Sequence, residues 1–148
     1  MSKASDIATA MAAQLNAAAA LDGVEAIVDR QLDIATEIQK RLSLSRGKSA
    51  GKGAMITIFY LGFENPDSSA AGTPNVSRNY LVSVYASPVL NTGNTPADDL
   101  LESAAGVLHR WEPLEASGIA EISVVSGVAR ADAEFLIYDL TVKVFSRL

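Results

Sequence analysis

Hydrophobic positions recur with different spacings along this chain, and each spacing points to a helix or to a strand. Over residues 6–21, Ile7, Met11, Leu15 and Ala18/Ala19 fall three or four apart, which lines them on one stripe of a helix. Alanine fills most of the remaining positions, as suits a helix former, and Gly23 supplies a stop. In residues 24–44 the pattern is ambiguous. Val24 to Val28 reads as a short extended piece, yet Val24, Val28, Leu32, Ala35, Ile38 and Leu42 also fit a helical stripe. The expectation is a short strand followed by a helix from about Asp33, which can cap it. Residues 55–61 (Met-Ile-Thr-Ile-Phe-Tyr-Leu) and 80–86 (Tyr-Leu-Val-Ser-Val-Tyr-Ala) are rich in β-branched and aromatic residues and predict strands. Between them, residues 62–78 are polar, with Pro66, Gly72 and Pro74, and predict a long loop.

Thr95 is placed to cap the next helix, with Pro96 at its first position and Asp98 and Asp99 in its first turn. Leu100, Ala104, Val107, Leu108 and Trp111 lie at helical offsets, and Pro113 marks the end. A strand is predicted over Ile119–Ser126, a turn over Gly127–Asp132, and a final strand from Ala133 to Ser146. In the last, Leu136, Tyr138, Leu140, Val142 and Val144 alternate with a more polar set, the pattern of a half-exposed sheet. Fourteen extended residues span about 47 Å, against about 38 Å for a compact domain of this length. That strand is therefore expected to bend, bulge or project towards another subunit. The order of elements predicts an α+β domain: a mixed or antiparallel sheet of four to five strands with two to three helices packed on it. One domain spans residues 1–148, with flexible loops near 45–53 and 62–78.

Composition narrows what such a domain does. The chain has 148 residues, 49% hydrophobic and 20% charged, which is enough to bury a core without staples. No cysteine is present, so disulfides and thiolate chemistry are excluded, and one histidine leaves no multi-histidine metal site. The alanine-rich start carries Asp6, Gln14 and Asn16, which argues against a signal peptide. No apolar run is long enough to span a membrane.

The net charge is −5, a poor basis for general nucleic-acid binding. The charges are segregated. Arg30, Lys40, Arg41, Arg46, Lys48 and Lys52 are six of the 12 basic residues, whereas Asp98 to Asp139 is mostly acidic. A basic half and an acidic half allow copies to pair; ordinary solvated faces explain the segregation equally well.

Candidate chemistry is sparse. Gly47-Lys48-Ser49 and Gly51-Lys52-Gly53 fail as a phosphate-binding loop. The earlier glycine that the motif needs is replaced by Leu42 or Arg46, Gly53 stands where a hydroxyl residue is needed, and a strand follows instead of a helix. The segment reads as an exposed tether whose cations are also candidates to touch a neighbouring protein or passing DNA. His109 lies off the apolar stripe and reads as a surface histidine. Asp98, Asp99 and Glu102 are explained by the helix dipole. Trp111 reads as a core anchor. Tyr60, Tyr80, Tyr85 and Tyr138 lack the interleaved cations of a nucleic-acid stacking platform. Asn75-Val76-Ser77 matches a glycosylation acceptor, with nothing to suggest secretion. No catalytic or cofactor site is expected.

The run Ala54–Gly62, the long loop, the strand Tyr80–Tyr85, the helix Ala97–Trp111 and the closing Tyr138–Val144 strand together resemble the tail terminator (tail completion) proteins of tailed phages, the group that includes the lambda-type minor tail protein U. The likeness covers residues 5–148 and rests on the order and length of elements. It implies a structural virion protein: a hexameric ring on the head-proximal end of the tail tube, made in the host cytoplasm, that stops tube polymerisation and forms the head–tail joining surface. The implied partners are further copies of the chain, the tail tube protein, a head–tail connector or neck protein, and sheath protein if the tail is contractile. DNA only passes through. Expected contact residues are Arg46, Lys48, Lys52, Phe63, Glu64, Asp67 and Arg78. The alternatives are another neck component, such as a head–tail adaptor or tube-like subunit, and a small-molecule-binding α+β module.

Overall fold

The first stripe folds as the helix its spacing requires. In the computed structural model, which describes residues 3–21, 24–28, 54–64, 75–86, 97–109, 111, 119–131 and 136–147, α1 runs Lys3–Ala17 and a 3-10 turn follows at Ala19–Leu21. Ile7, Met11 and Leu15 are completely buried, and Ala4, Ala8 and Ala12 lie beside them. Each of the three large side chains contributes about 2 kcal/mol by leaving water. The small residues let α1 sit close on the sheet. Past Ala17 the chain tightens through Ala18 N–H to the Leu15 carbonyl and Leu21 N–H to the Ala18 carbonyl, so Leu21 is buried while Ala19 is exposed.

The strands are β1 (Glu25–Val28), β2 (Ala54–Glu64), β3 (Asn75–Ala86), β4 (Ile119–Ala131) and β5 (Leu136–Arg147), and the second described helix, α2, is Ala97–Leu108. They form one mixed five-stranded sheet in the order β1-β2-β3-β5-β4. Only β1 and β2 pair in parallel; the other three pairings are antiparallel. The fold is α+β, as the order of elements predicts.

The core lies between the sheet and both helices. Ile56, Ile58, Tyr80, Val82, Val84, Val142 and Val144 meet Ile7, Met11, Leu15, Leu100, Ala104 and Leu108 there. Trp111 packs against this cluster while partly exposed. On the opposite face Met55, Tyr85 and Ile137 form a smaller buried cluster with Ile27. Towards Glu64 the opposite face is open: Phe59 and Phe145 are exposed there and Leu61 is exposed at the bulge, while exposed Phe63, level with Arg78 past the bulge, lies on the helix-side face.

Four expectations change. The strands on either side of the 62–78 loop are longer than their apolar runs, because Gly62–Glu64 pairs with Asn79–Ser77; only residues 65–74 separate them, and these lie outside the described residues. The bulge between Tyr60 and Gly62, with Gly62 at φ 126°, re-aims the chain there. The turn expected over Gly127–Asp132 is strand as far as Ala131, because Gly127 pairs with Leu140 and Ala131 with Leu136. The closing strand does not project: β5 is an internal strand paired on both sides, and β4 forms the edge, bent by bulges at Ile119/Glu121 and Val124/Ser126. The helix of the third apolar stripe stops at Leu108, short of Trp111. The expected helix from Asp33, the Thr95 cap and the basic loop at 45–53 lie outside the described residues.

Candidate functional site on the open face and edge of the sheet

Three of the seven residues expected to make contacts are described. Phe63 and Glu64 end β2 and are both exposed. Arg78 pairs across from Phe63, so the sheet brings these three together. Arg78 differs from its neighbours: it belongs to β3, and its side chain is buried with 5% exposure. Its Nε donates to Ser146 Oγ at 3.1 Å and its Nη1 to the Tyr60 hydroxyl at 3.3 Å. This guanidinium ties β2, β3 and β5 together from within. The cause is register: Arg78 shares the helix-side face with Tyr80 and Val82 because side chains alternate along a strand. Arg46, Lys48, Lys52 and Asp67 lie outside the described residues.

The open face carries a polar network across three strands. Ser83 Oγ donates to Asp139 Oδ1 at 2.7 Å. Arg130 Nε donates to Asp139 Oδ2 at 2.9 Å, and its second guanidinium nitrogen reaches Oδ1 at 3.4 Å. Burial pushes the Asp139 carboxyl up, but the hydrogen bonds from Arg130 and Ser83, with the Arg130 charge, outweigh it and hold the group below its usual range. The hydrogen bond to Asp139 in turn raises Arg130. Nearby, Asn79 Oδ1 is buried without a hydrogen-bond partner, on the strand position level with Gly62 and Lys143.

The two outer strands are finished differently. On β1, Asn16 reaches from the end of α1: its Nδ2 donates to the Ala26 carbonyl at 3.1 Å, and its Oδ1 accepts from the Ala26 N–H at 2.8 Å. One side-chain amide thereby takes the place of a neighbouring strand. On β4, His109 Nδ1 accepts from the Val124 N–H at 3.2 Å, beside the bulge. His109 is a surface histidine, as expected, with this structural role added. Beyond it, Val125 through Arg130 are all exposed. Val125 and Val128, at 56% and 62% exposure, are the most exposed large apolar residues described.

Among the described residues no group of three or more His, Asp or Glu side chains is placed to hold a metal, and no helix is long and apolar enough to cross a membrane. The β4 edge was hidden in the sequence by Gly127, which reads as a turn residue. Nothing in the sequence marks Asn16 as an edge closure.

No protein-family profile matches the chain, and no curated protein matches it. Among solved structures it is similar to a chain in the virion of a native gene transfer agent particle, with a TM-score of 0.60 and 14% identity over 96% of this chain and 95% of that one. The likeness spans essentially the whole of both chains and establishes a common fold.

Proposed function

We propose that this chain is a structural protein of a phage-like virion, and within that class a tail terminator. Copies close into a ring, six in number, on the head-proximal end of the tail tube, where they stop the tube growing and offer a surface to the neck or connector. The observation that carries this reading is the end-to-end fold likeness to a chain of a virion particle. The particular place in the tail rests on the order of elements that the chain shares with tail terminators.

The surface is consistent with assembly. Phe59, Leu61, Phe63 and Phe145 are exposed towards one end of the sheet, and exposed apolar side chains grouped in this way suit contact with a partner. A ring requires two unlike patches that meet, and the two finished edges of this sheet are unlike. A net charge of −5 suits a conduit through which DNA passes without being held. The chain does no chemistry in this role and needs no cofactor. Its partners are its own copies, the tail tube protein and a head–tail connector or neck protein, with sheath protein where the tail contracts.

Mass photometry of the purified chain with and without tail tubes tests the ring. A species of six chain masses, formed alone or on tube ends, is expected. Monomers only, even with tubes present, would contradict it. Long regular polymers of the chain alone would instead favour a tube-like subunit.

A further inference from the structure

The residues of the sheet stand in level rows that run unbroken from one edge to the other. Glu25 is level with Met55, Tyr85, Ile137 and Arg130; Ala26 with Ile56, Val84, Tyr138 and Ala129; Ile27 with Thr57, Ser83, Asp139 and Val128; Val28 with Ile58, Val82, Leu140 and Gly127. Among the described strands β1 is therefore the outermost on one side, at the same height as Gly127–Arg130 on the far edge. Pairing directions alternate so that β1 runs parallel to β2 and β4 runs opposite to it. Two copies set side by side in the same orientation would bring β1 of one against β4 of the next as an antiparallel pair.

The side chains match as well. In that register exposed Glu25 comes level with exposed Arg130, whose guanidinium also holds Asp139 of its own chain, Ile27 comes level with Val128 on the same face, and the small Ala26 with Ala129. Opposite charges across a strand pair favour it and set register and partner more than affinity. The partner in this match is a second copy of the chain, because both halves of the complementarity are its own.

We propose that successive copies join edge to edge, Glu25–Val28 of one copy pairing antiparallel with Gly127–Arg130 of the next, so that the sheet continues around the ring. This pairing rests on the ring reading above. Asn16 fits it as a placeholder. In the single chain its amide satisfies the outward N–H and C=O of Ala26, which keeps the β1 edge from pairing indiscriminately. Asn16 is itself exposed, so its side chain is free to swing aside when a strand offers the same two hydrogen bonds. On β4, His109 occupies Val124 and so bounds the open stretch at the bulge. The free part of the edge begins just where the rows match.

The chain has no cysteine, which makes crosslinking a clean test. Full-length chain carrying Ile27→Cys and Val128→Cys together is assembled and mildly oxidised. The proposal expects a ladder of disulfide-linked species that ends at the ring, with each single variant giving at most dimers. Charge exchange is the second test. Glu25→Arg and Arg130→Glu should each raise the concentration for half-assembly by about tenfold or more, and the two combined should restore most of it. Asn16→Ala, with unchanged circular dichroism, should lower that concentration. A ring that forms without the crosslink ladder, and that both single charge variants leave intact, would overturn the edge pairing and leave the ring standing. Wild-type chain that forms no ring even on tail tubes would overturn both.

Discussion

The Tyr80 hydroxyl donates to the Ala4 carbonyl at 2.9 Å across 76 positions of sequence. This one bond fixes the first turn of α1 over the centre of β3. The tyrosine ring is completely buried and lies 5.1 Å from that of Tyr60. Tyr80→Phe keeps the ring and removes the bond, and should cost about 1 kcal/mol. A fall in Tm of about 2–4 °C is expected for a chain of this size, measured by calorimetry.

The same group predicts the alkaline behaviour. Burial pushes the Tyr80 phenol far above its usual value; the Arg78 charge pulls the other way, and Tyr60 adds to the rise. A raised folded value means the native state holds its proton where the unfolded chain has lost it. The stabilisation is thus complete below about pH 10, the unfolded value, and is lost as pH rises beyond it. Urea midpoints between pH 8 and 11 should fall more steeply in the wild type than in Tyr80→Phe.

At the acid end the working group is Asp139. Its carboxyl is held below the usual range by Arg130 and Ser83 despite its burial, so its contribution is full above about pH 4 and is lost as pH falls further. Arg130 is 48% exposed and Asp139 20% in their side chains. Solvent screening keeps the pair's contribution below about 1 kcal/mol. Asp139→Asn should flatten the stability profile between pH 5 and 2 in chemical denaturation, with little change of fold.

Arg78 and Phe63 are neighbours across β2 and β3, and their substitutions should part ways. Arg78→Leu strips hydrogen bonds from Ser146 and Tyr60 inside the sheet and should destabilise the chain by about 2–4 kcal/mol. Arg78→Lys should rescue little, since an ammonium lacks the planar fork. Phe63→Ser changes an exposed position and should leave stability within about 0.5 kcal/mol while weakening assembly. Denaturation and mass photometry on the same samples separate the two effects.

Gly62 sits at φ 126° with open space where a Cβ would go. Gly62→Ala therefore meets no clash, and its cost is backbone strain alone, about 1–2 kcal/mol. Urea denaturation should detect a loss of that size with an unchanged m-value.

Wherever one periodicity held over many residues, the sequence was legible. The stripe of Ile7, Met11 and Leu15, that of Leu100, Ala104 and Leu108, and the runs on β2, β3 and β5 all place residues on the faces they occupy. What escaped is set by long-range pairing. Nothing local says that Gly127 lies opposite Leu140, so a glycine in a weak strand looks like a turn. Arg78 beside a polar loop looks like a surface cation until Ser146, 68 positions away, is placed against it. Asn16 and Ala26 meet only because α1 ends above the sheet edge. The site was legible as little more than Phe63 and Glu64 at an exposed end. The edge of β4, which carries the proposed contact, emerges only from the register.

In the proposed role this chain ends tail growth and makes the tail joinable. Electron microscopy of particles assembled without it, with tail lengths measured individually, tests that most directly. Tails of unregulated length that stay apart from heads, corrected when the chain is supplied, are expected. Tails of normal length already joined to heads in its absence would contradict it.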